Sequence, residues 1–336
     1  MRRSRHRPRR WALALLRLAF LPGVVWATAA LLIDAPASWG RPLAILYLLF
    51  SLIFWLGSFW RRWCSVAVLA GFAVVLAWWL SLQPSDARDW QADVDRTAWA
   101  ETSDATVTIH NVRNFTYRTE TDYQPRWEDR QYDLAQLTGV DLFITYWGSP
   151  WIAHPILSFQ FADGQRVAFS IEARKEQGEV YSALKGFFRQ YELIYIVGDE
   201  ADLIRLRTTY RSGEEVYLYH TTLSASEARA VFVDYLRGLN ELHAQPAFYN
   251  ALTDNCTTGI RIHTAAAPGV ALPWNWRLLL NGKADEYVYR EGGFAGDLPF
   301  DALKQAAHIN DAARAAGDAA DFSLRIRQGR PGFATP

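Results

Sequence analysis

Apolar positions are crowded into the first part of this chain and give way to alternating patterns after it. Three nearly uninterrupted apolar runs occupy residues 11–33, 42–60 and 64–82. Each reaches the ~20 residues a helix needs to cross a hydrocarbon core. Basic residues bracket the runs, with six arginines and a histidine within Met1–Arg10, then Arg61 and Arg62 between the second and third. Positive charge stays on the cytoplasmic side, so the pattern predicts three spans with the N-terminus inside and everything from residue 84 outside. In a Gram-negative cell that is a multi-pass inner-membrane protein with a periplasmic main domain. A cleaved signal peptide fits poorly, because the first run is long, holds Arg17 and is closely followed by two more.

Residues 84–104 are rich in aspartate and read as a linker at the membrane surface. Alternation at 106–111 and 127–134, a short segment at 114–118 and a mostly apolar run at 140–147, of the kind seen in buried strands, each predict a strand. The clearest hairpin runs from Ala153 to Glu172. A two-residue Asp163-Gly164 turn would mix polar and apolar residues on both faces, whereas a bulged Ala162-Asp163-Gly164 turn places Phe161 opposite Gln165 and sorts them. Leu157, Phe159 and Phe161 then share one face with Val167, Phe169 and Ile171. His154, Ser158 and Gln160 share the other with Arg166, Ser170 and Glu172, and His154 comes opposite Glu172. Strands at 191–199 and 215–220 flank a helix at 200–210. An amphipathic helix follows at 224–242, opened by a Ser224/Glu227 capping box. Residues 285–293 read as loop and 301–313 as a short helix.

These elements predict an α+β protein. A membrane domain at 1–83 with three transmembrane helices leads through the 84–104 linker to an antiparallel-sheet domain at 105–270 and a C-terminal extension at 271–336. Composition adds little, since 35 basic and 35 acidic residues cancel, which gives no support for nucleic-acid binding. No cluster has metal-ligand spacing, no glycine-rich phosphate loop occurs, and no cofactor is implied.

The chemistry centres on Cys256, one of two cysteines. Asp254 and Asn255 can cap a helix beginning there, and Ile260, His263 and Thr264 continue it at helical spacing. A thiol in a first helical turn feels the positive end of the dipole, which favours thiolate. Cys64 lies at the cytoplasmic end of the third run, so no disulfide joins the two. A lone thiol kept in an oxidising compartment points to a chemical role. His154 beside Glu172 is the arrangement that orients an imidazole as a base for a thiol. The charged segment 173–181, with Arg174 and Glu176, reads as an exposed loop or a gate beside this site. His220 and His243 are spare.

Four ordered motifs carry a resemblance. His154-Pro155-Ile156-Leu157-Ser158-Phe159, Ser170-Ile171-Glu172-Ala173-Arg174-Lys175-Glu176, Phe188-Arg189-Gln190-Tyr191-Glu192-Leu193-Ile194-Tyr195 and Tyr249-Asn250 to Asn255-Cys256-Thr257-Thr258 resemble the N-terminal periplasmic domain of the lipoprotein N-acyltransferase Lnb. The histidine-before-cysteine order is also similar to permuted papain-like folds such as lecithin:retinol acyltransferase. The resemblance implies that Cys256 is a nucleophile and His154 its base, and the hairpin register adds Glu172 as the orienting carboxylate. It further implies a thioester intermediate, with Asn255, Ser158, Arg174 and Glu176 as candidate binding residues. The partners it implies are the bilayer and a membrane lipid or lipoprotein substrate. Here three spans precede the domain, whereas in Lnb the domain precedes the membrane region. A cysteine peptidase or amidase of the cell envelope, and a non-catalytic membrane-tethered binding module, are the alternative expectations.

Overall fold

A computed structural model describes residues 18–270 and 272–333. The arginine-rich start and the opening of the first apolar run lie outside the described residues. The chain divides into two compact units, one of residues 1–85 with 182–191, the other of residues 86–181 with 192–336.

The first unit is built on α1 (Phe20–Ile33), α2 (Gly40–Gly57) and α3 (Arg62–Ser81). Helices α2 and α3 are long and apolar enough to cross a membrane, while the described part of α1 is an apolar helix of 14 residues. Val24, Ala27, Leu31, Ala44, Tyr47, Val68 and Val75 form their buried seam. Val25, Ile53, Val66 and Val74 point outward and are each more than 60% exposed, an inversion of soluble-protein polarity that suits a lipid surround. The segment 182–191 belongs to this unit: Phe188 stacks on Trp26 with ring centroids 6.4 Å apart, and the Arg189 guanidinium lies 4.4 Å from the Trp79 ring.

The second unit is an eight-stranded sheet with helices on both faces. Its strands are β1 (Trp99–Ser103), β2 (Thr106–Arg113), β3 (Trp127–Asp133), β4 (Leu137–Trp147), β5 (Ala153–Phe161), β6 (Arg166–Arg174), β7 (Glu192–Gly198) and β8 (Glu214–His220). Spatially they run β1-β2-β7-β6-β5-β4-β8, with β3 paired to β2. The β5–β6 hairpin has the bulged register read from its pattern: Phe159 pairs with Val167, Leu157 with Phe169, and the Phe161 N–H donates to the Gln165 carbonyl across the turn.

On one face Leu157, Phe159, Val167, Phe169 and Ile171 pack under α5 (Ala225–Ala244), whose Ser224/Glu227 capping box is formed. Phe159 meets Phe232 at 4.9 Å and Phe169 meets Tyr235 at 5.3 Å, both edge-on. The helix α6 (Cys256–Thr264) lies on this face too. Ile156, Ala168, Ile194 and Ile196 point to the other face, covered by α4 (Glu200–Arg205) and by residues far along the chain.

Three expectations are corrected. Residues 84–104 are not a free linker: β1 is an edge strand, and Trp90 and Val94 are buried. The polar composition of that stretch hides a few well-spaced apolar anchors. Residues 285–293 are largely helical, in α8 (Ala284–Arg290), which follows the single turn α7 (Trp276–Leu279). The helix expected at 301–313 is two, α9 (Phe300–Ala307) and α10 (Asn310–Ala316), broken where His308 bridges to Tyr217 of β8. With α11 (Phe322–Arg325), α10 brings Ala313, Ala316, Phe322 and Ile326 into the second-face core. The C-terminal extension is therefore core, not appendage.

Candidate active site

Helix α6 begins where the sequence indicates, and Asn255 is the reason. Its Oδ1 accepts from the N–H groups of Thr257 (2.9 Å) and Thr258 (3.0 Å), while Thr258 Oγ1 accepts from the Asn255 N–H at 2.9 Å. Asn255 Nδ2 ties this cap to the preceding turn through the Ala251 carbonyl at 2.8 Å. Both polar atoms of the Asn255 side chain thus serve the cap, and the residue aims Cys256. Gly259 lets the helix lie close on β6, since a Cβ there would sit 2.5 Å from Ile171 Cδ1.

Cys256 is the first residue of α6 and is buried among the first-face core residues. Its sulfur has Thr257 Oγ1 at 3.8 Å and Asn281 Nδ2 at 4.0 Å as neighbours. Burial pushes the thiol up to about 11, more than those two contacts bring it down, and the Glu172 charge adds to the rise. The thiolate expected at a helix start is therefore overruled: desolvation outweighs the dipole, and the resting group is S–H. Above it Tyr249, also buried, shares a hydrogen bond of 3.2 Å with Tyr181.

His154 and Glu172 face the same side of the sheet, as the register requires, but a third group joins them. His154 Nε2 lies 2.7 Å from Ser170 Oγ, Ser170 Oγ donates to Glu172 Oε1 at 2.7 Å, and the direct Nε2 to Oε1 distance is 3.8 Å. Arg207, from the π-helical turn Leu206–Tyr210 after α4, donates to the same Oε1 at 2.7 Å. Burial alone would raise the Glu172 carboxyl, yet Arg207, His154 and Arg113 together hold it well below the usual range, so it is ionised and only accepts. The single Ser170 proton is then spent on Glu172, and His154 Nε2 must be the donor to Ser170. The neutral ring carries its lone pair on Nδ1. Burial drives the imidazole down to about 4, against the pull of Glu172.

The two halves occupy opposite sides of one sheet end. Cys256 belongs to the first-face core, while His154, Ser170 and Glu172 share the face of Ile156 and Ala168. The β5–β6 ladder stops at Ile156 and Ser170, so His154 and Glu172 lie beyond it, where the strands part. The Glu172 charge acts on the Cys256 thiol and on the Tyr249 phenol. Among the described residues no hydrogen bond joins the Cys256 sulfur to His154.

The other expected binding residues are committed elsewhere. Ser158 is buried and donates to Glu200, itself held by Arg327. Arg174 donates to the Val94 and Asp95 carbonyls at 2.8 and 2.9 Å and stacks 4.2 Å from the Trp90 ring, stapling the 86–95 segment to the sheet. Glu176 pairs with Arg88 at 2.9 Å. Of the spare histidines, His220 bonds Asp141 at 2.7 Å and His243 bonds Thr97 at 2.9 Å. Sequence reading missed the roles of Ser170, Arg207 and Asn281. Only Ser170 left a signal, two residues from Glu172 on the same strand face.

Along α6 from the thiol lies a cavity of about 250 Å³, lined by Leu142, Leu157, Ile260, Thr264, Val270 and Val288. Cys256, Ile260 and Thr264 recur every four residues and so share one side of the helix. Glu227 and Glu291 stand among its remaining lining residues.

Residues 123–282 match the family model described as the Lnb N-terminal periplasmic domain. No curated protein and no solved structure matches the chain. The matched segment includes β4 to β8, α5, α6 and Asn281, and so spans Cys256, His154, Ser170, Glu172 and Arg207 as well. The family's periplasmic setting and two helices apolar enough to cross a membrane support a membrane-associated periplasmic protein, whose residues 123–282 are similar to the Lnb N-terminal periplasmic domain.

Proposed function

We propose that this protein is an inner-membrane-anchored periplasmic cysteine enzyme that takes an acyl group from a lipid or lipoprotein ester through a thioester on Cys256. The observation that carries the reading is a buried thiol at a capped helix start, beside a sheet end where a serine–glutamate relay orients an imidazole. The apolar cavity on the thiol's side of α6 favours an acyl chain over a peptide. In the same proposal the first apolar run is the first of three spans, the N-terminus is cytoplasmic, and the domain is of permuted papain-like type.

The resting pair is neutral, with S–H on Cys256 and the lone pair on His154 Nδ1. In the acyl step, which requires the sheet end to rearrange on substrate binding so that thiol and imidazole meet, the Cys256 proton passes to Nδ1 as sulfur attacks the ester carbonyl. The imidazolium is stabilised through Ser170 by ionised Glu172. Collapse of the tetrahedral intermediate expels the alkoxide, which takes the proton from Nδ1 and leaves the thioester. An acceptor amine or water then attacks, with the proton steps reversed. Because both partners are desolvated, charge separation is costly until substrate brings its own dipoles into the site.

One observation favours a second reading, a membrane-tethered binding module: the thiol is protonated at rest and its neighbours are Thr257 and Asn281 rather than His154. Intact-mass measurement separates the two. The full chain in detergent, incubated with phospholipid vesicles or a p-nitrophenyl ester, should gain a hydroxylamine-sensitive acyl mass on Cys256. A chain that stays unmodified while wild-type fold and thiol are intact favours the module.

A further inference from the structure

Resting on the acyl-transfer reading, we propose that the side-chain amide of Asn281 is an oxyanion donor of the acyl step. The intermediate's oxygen needs preorganised N–H groups, which carry much of the stabilisation in such sites. The first turn of α6 is the obvious source, but the Asn255 cap has used it. The Thr257 and Thr258 N–H groups both donate to Asn255 Oδ1, and the Gly259 N–H donates to the Asn255 carbonyl. Of the first four backbone donors that leaves the N–H of Cys256, so a second donor must come from outside the helix.

Asn281 is held in the place where that donor is needed. Its Oδ1 accepts from the Ala153 N–H at 2.9 Å, which fixes which end of the amide is oxygen, and its Nδ2 is 4.0 Å from the Cys256 sulfur. The residue opens the one-turn helix Asn281–Lys283, which is docked on the β4–β5 turn. The Gly282 N–H donates to the Trp151 carbonyl at 3.0 Å, and Tyr146 Oη donates to the Gly282 carbonyl at 3.1 Å. A Cβ at residue 282 would come within 2.4 Å of the Pro150 carbonyl oxygen. Only glycine permits this approach, and what it delivers is the Asn281 amide beside the thiol. When sulfur attacks, the former carbonyl oxygen gains its negative charge within reach of Nδ2–H and gives it up when the carbonyl re-forms.

The test compares two reactions of Cys256 in the full-length protein in detergent: acylation by p-nitrophenyl butyrate, which forms an oxyanion, and alkylation by iodoacetamide, which does not. Asn281→Ala removes the donor, and Asn281→Asp removes it while keeping the acceptor for Ala153. In both, the ratio of acylation to alkylation should fall ~10²- to 10³-fold relative to wild type, while alkylation itself slows only by the smaller factor that loss of the amide's pull on the thiol brings. An unchanged ratio, whether both rates fall together or neither moves, overturns the proposal and leaves Asn281 a structural tie. Wild-type protein that alkylates at Cys256 but never acylates sinks the acyl-transfer reading itself, and the Asn281 role with it.

Discussion

Two carboxylates lie on the same sheet face, Glu200 buried and Glu172 half-buried, and they have opposite characters. Glu200 is saturated: Arg327 grips both of its oxygens and Ser158 donates to one, while Arg327 also reaches Asp141 at 2.8 Å. Nothing titratable is left over for chemistry, and the cluster joins the C-terminal helices to the sheet. Glu172 is engaged by Arg207 and by Ser170, and beyond Ser170 stands an imidazole whose second nitrogen carries a lone pair. A buried charge network is thus no mark of a site by itself. What separates the two is a group that can still change its proton.

The comparison breaks most sharply at the thiol. Cys256→Ser should abolish acyl-ester turnover, because an alkoxide is far harder to form than a thiolate, and His154→Ala should cost ~10²- to 10⁴-fold in kcat/KM. Both variants should keep the wild-type circular dichroism spectrum. Arg327→Met should behave the other way: about 3–5 kcal/mol of stability lost in denaturant unfolding, because Asp141 and Glu200 become uncompensated, with turnover per folded molecule unchanged. Turnover lost by Arg327→Met before it unfolds would erase the distinction.

Stability against pH sharpens the contrast further. His154 titrates near 6.5 in the unfolded chain and near about 4 in the fold. As pH falls below 6.5 the unfolded chain takes up the proton first, so stability present above 6.5 is progressively lost down to about 4. The difference is worth about 3 kcal/mol at most. Unfolding free energies across that window should flatten in His154→Gln, and an equal slope in both proteins contradicts the assignment. Alkylation of Cys256 should climb roughly tenfold per pH unit from neutrality toward about 11, with no plateau near neutral pH. The smallest effect belongs to Ser170→Ala, which frees the imidazole tautomer without touching thiol or base. A loss of roughly tenfold in kcat, at unchanged KM, is expected from one charge-linked hydrogen bond. Glu172→Gln is a poorer probe, because it strands the buried Arg207 and costs stability as well.

Local pattern alone determined a good deal of this protein. The apolar runs gave helices that present valine and isoleucine outward. Alternation along 153–172, with the Ala162-Asp163-Gly164 bulge, decided which residues share a face and put His154 and Glu172 on the same one. Asn255 before Cys256 marked the helix start, because a cap acts over three residues. Tertiary structure decided the rest, since it depends on groups far apart in sequence. The protonated state of Cys256 is a matter of desolvation by a core assembled from the whole domain, which no helix-start rule contains. Arg207 reaches Glu172 across 35 positions, Asn281 reaches Cys256 across 25, and Arg327 reaches Asp141 across 186. Charged residues such as Arg174 and Glu176 look like a solvated loop in one dimension, and only the packed chain shows them stapling an aspartate-rich segment to the sheet. Short-range backbone physics is written in neighbouring letters, whereas burial and long-range pairing exist only once the chain has closed on itself.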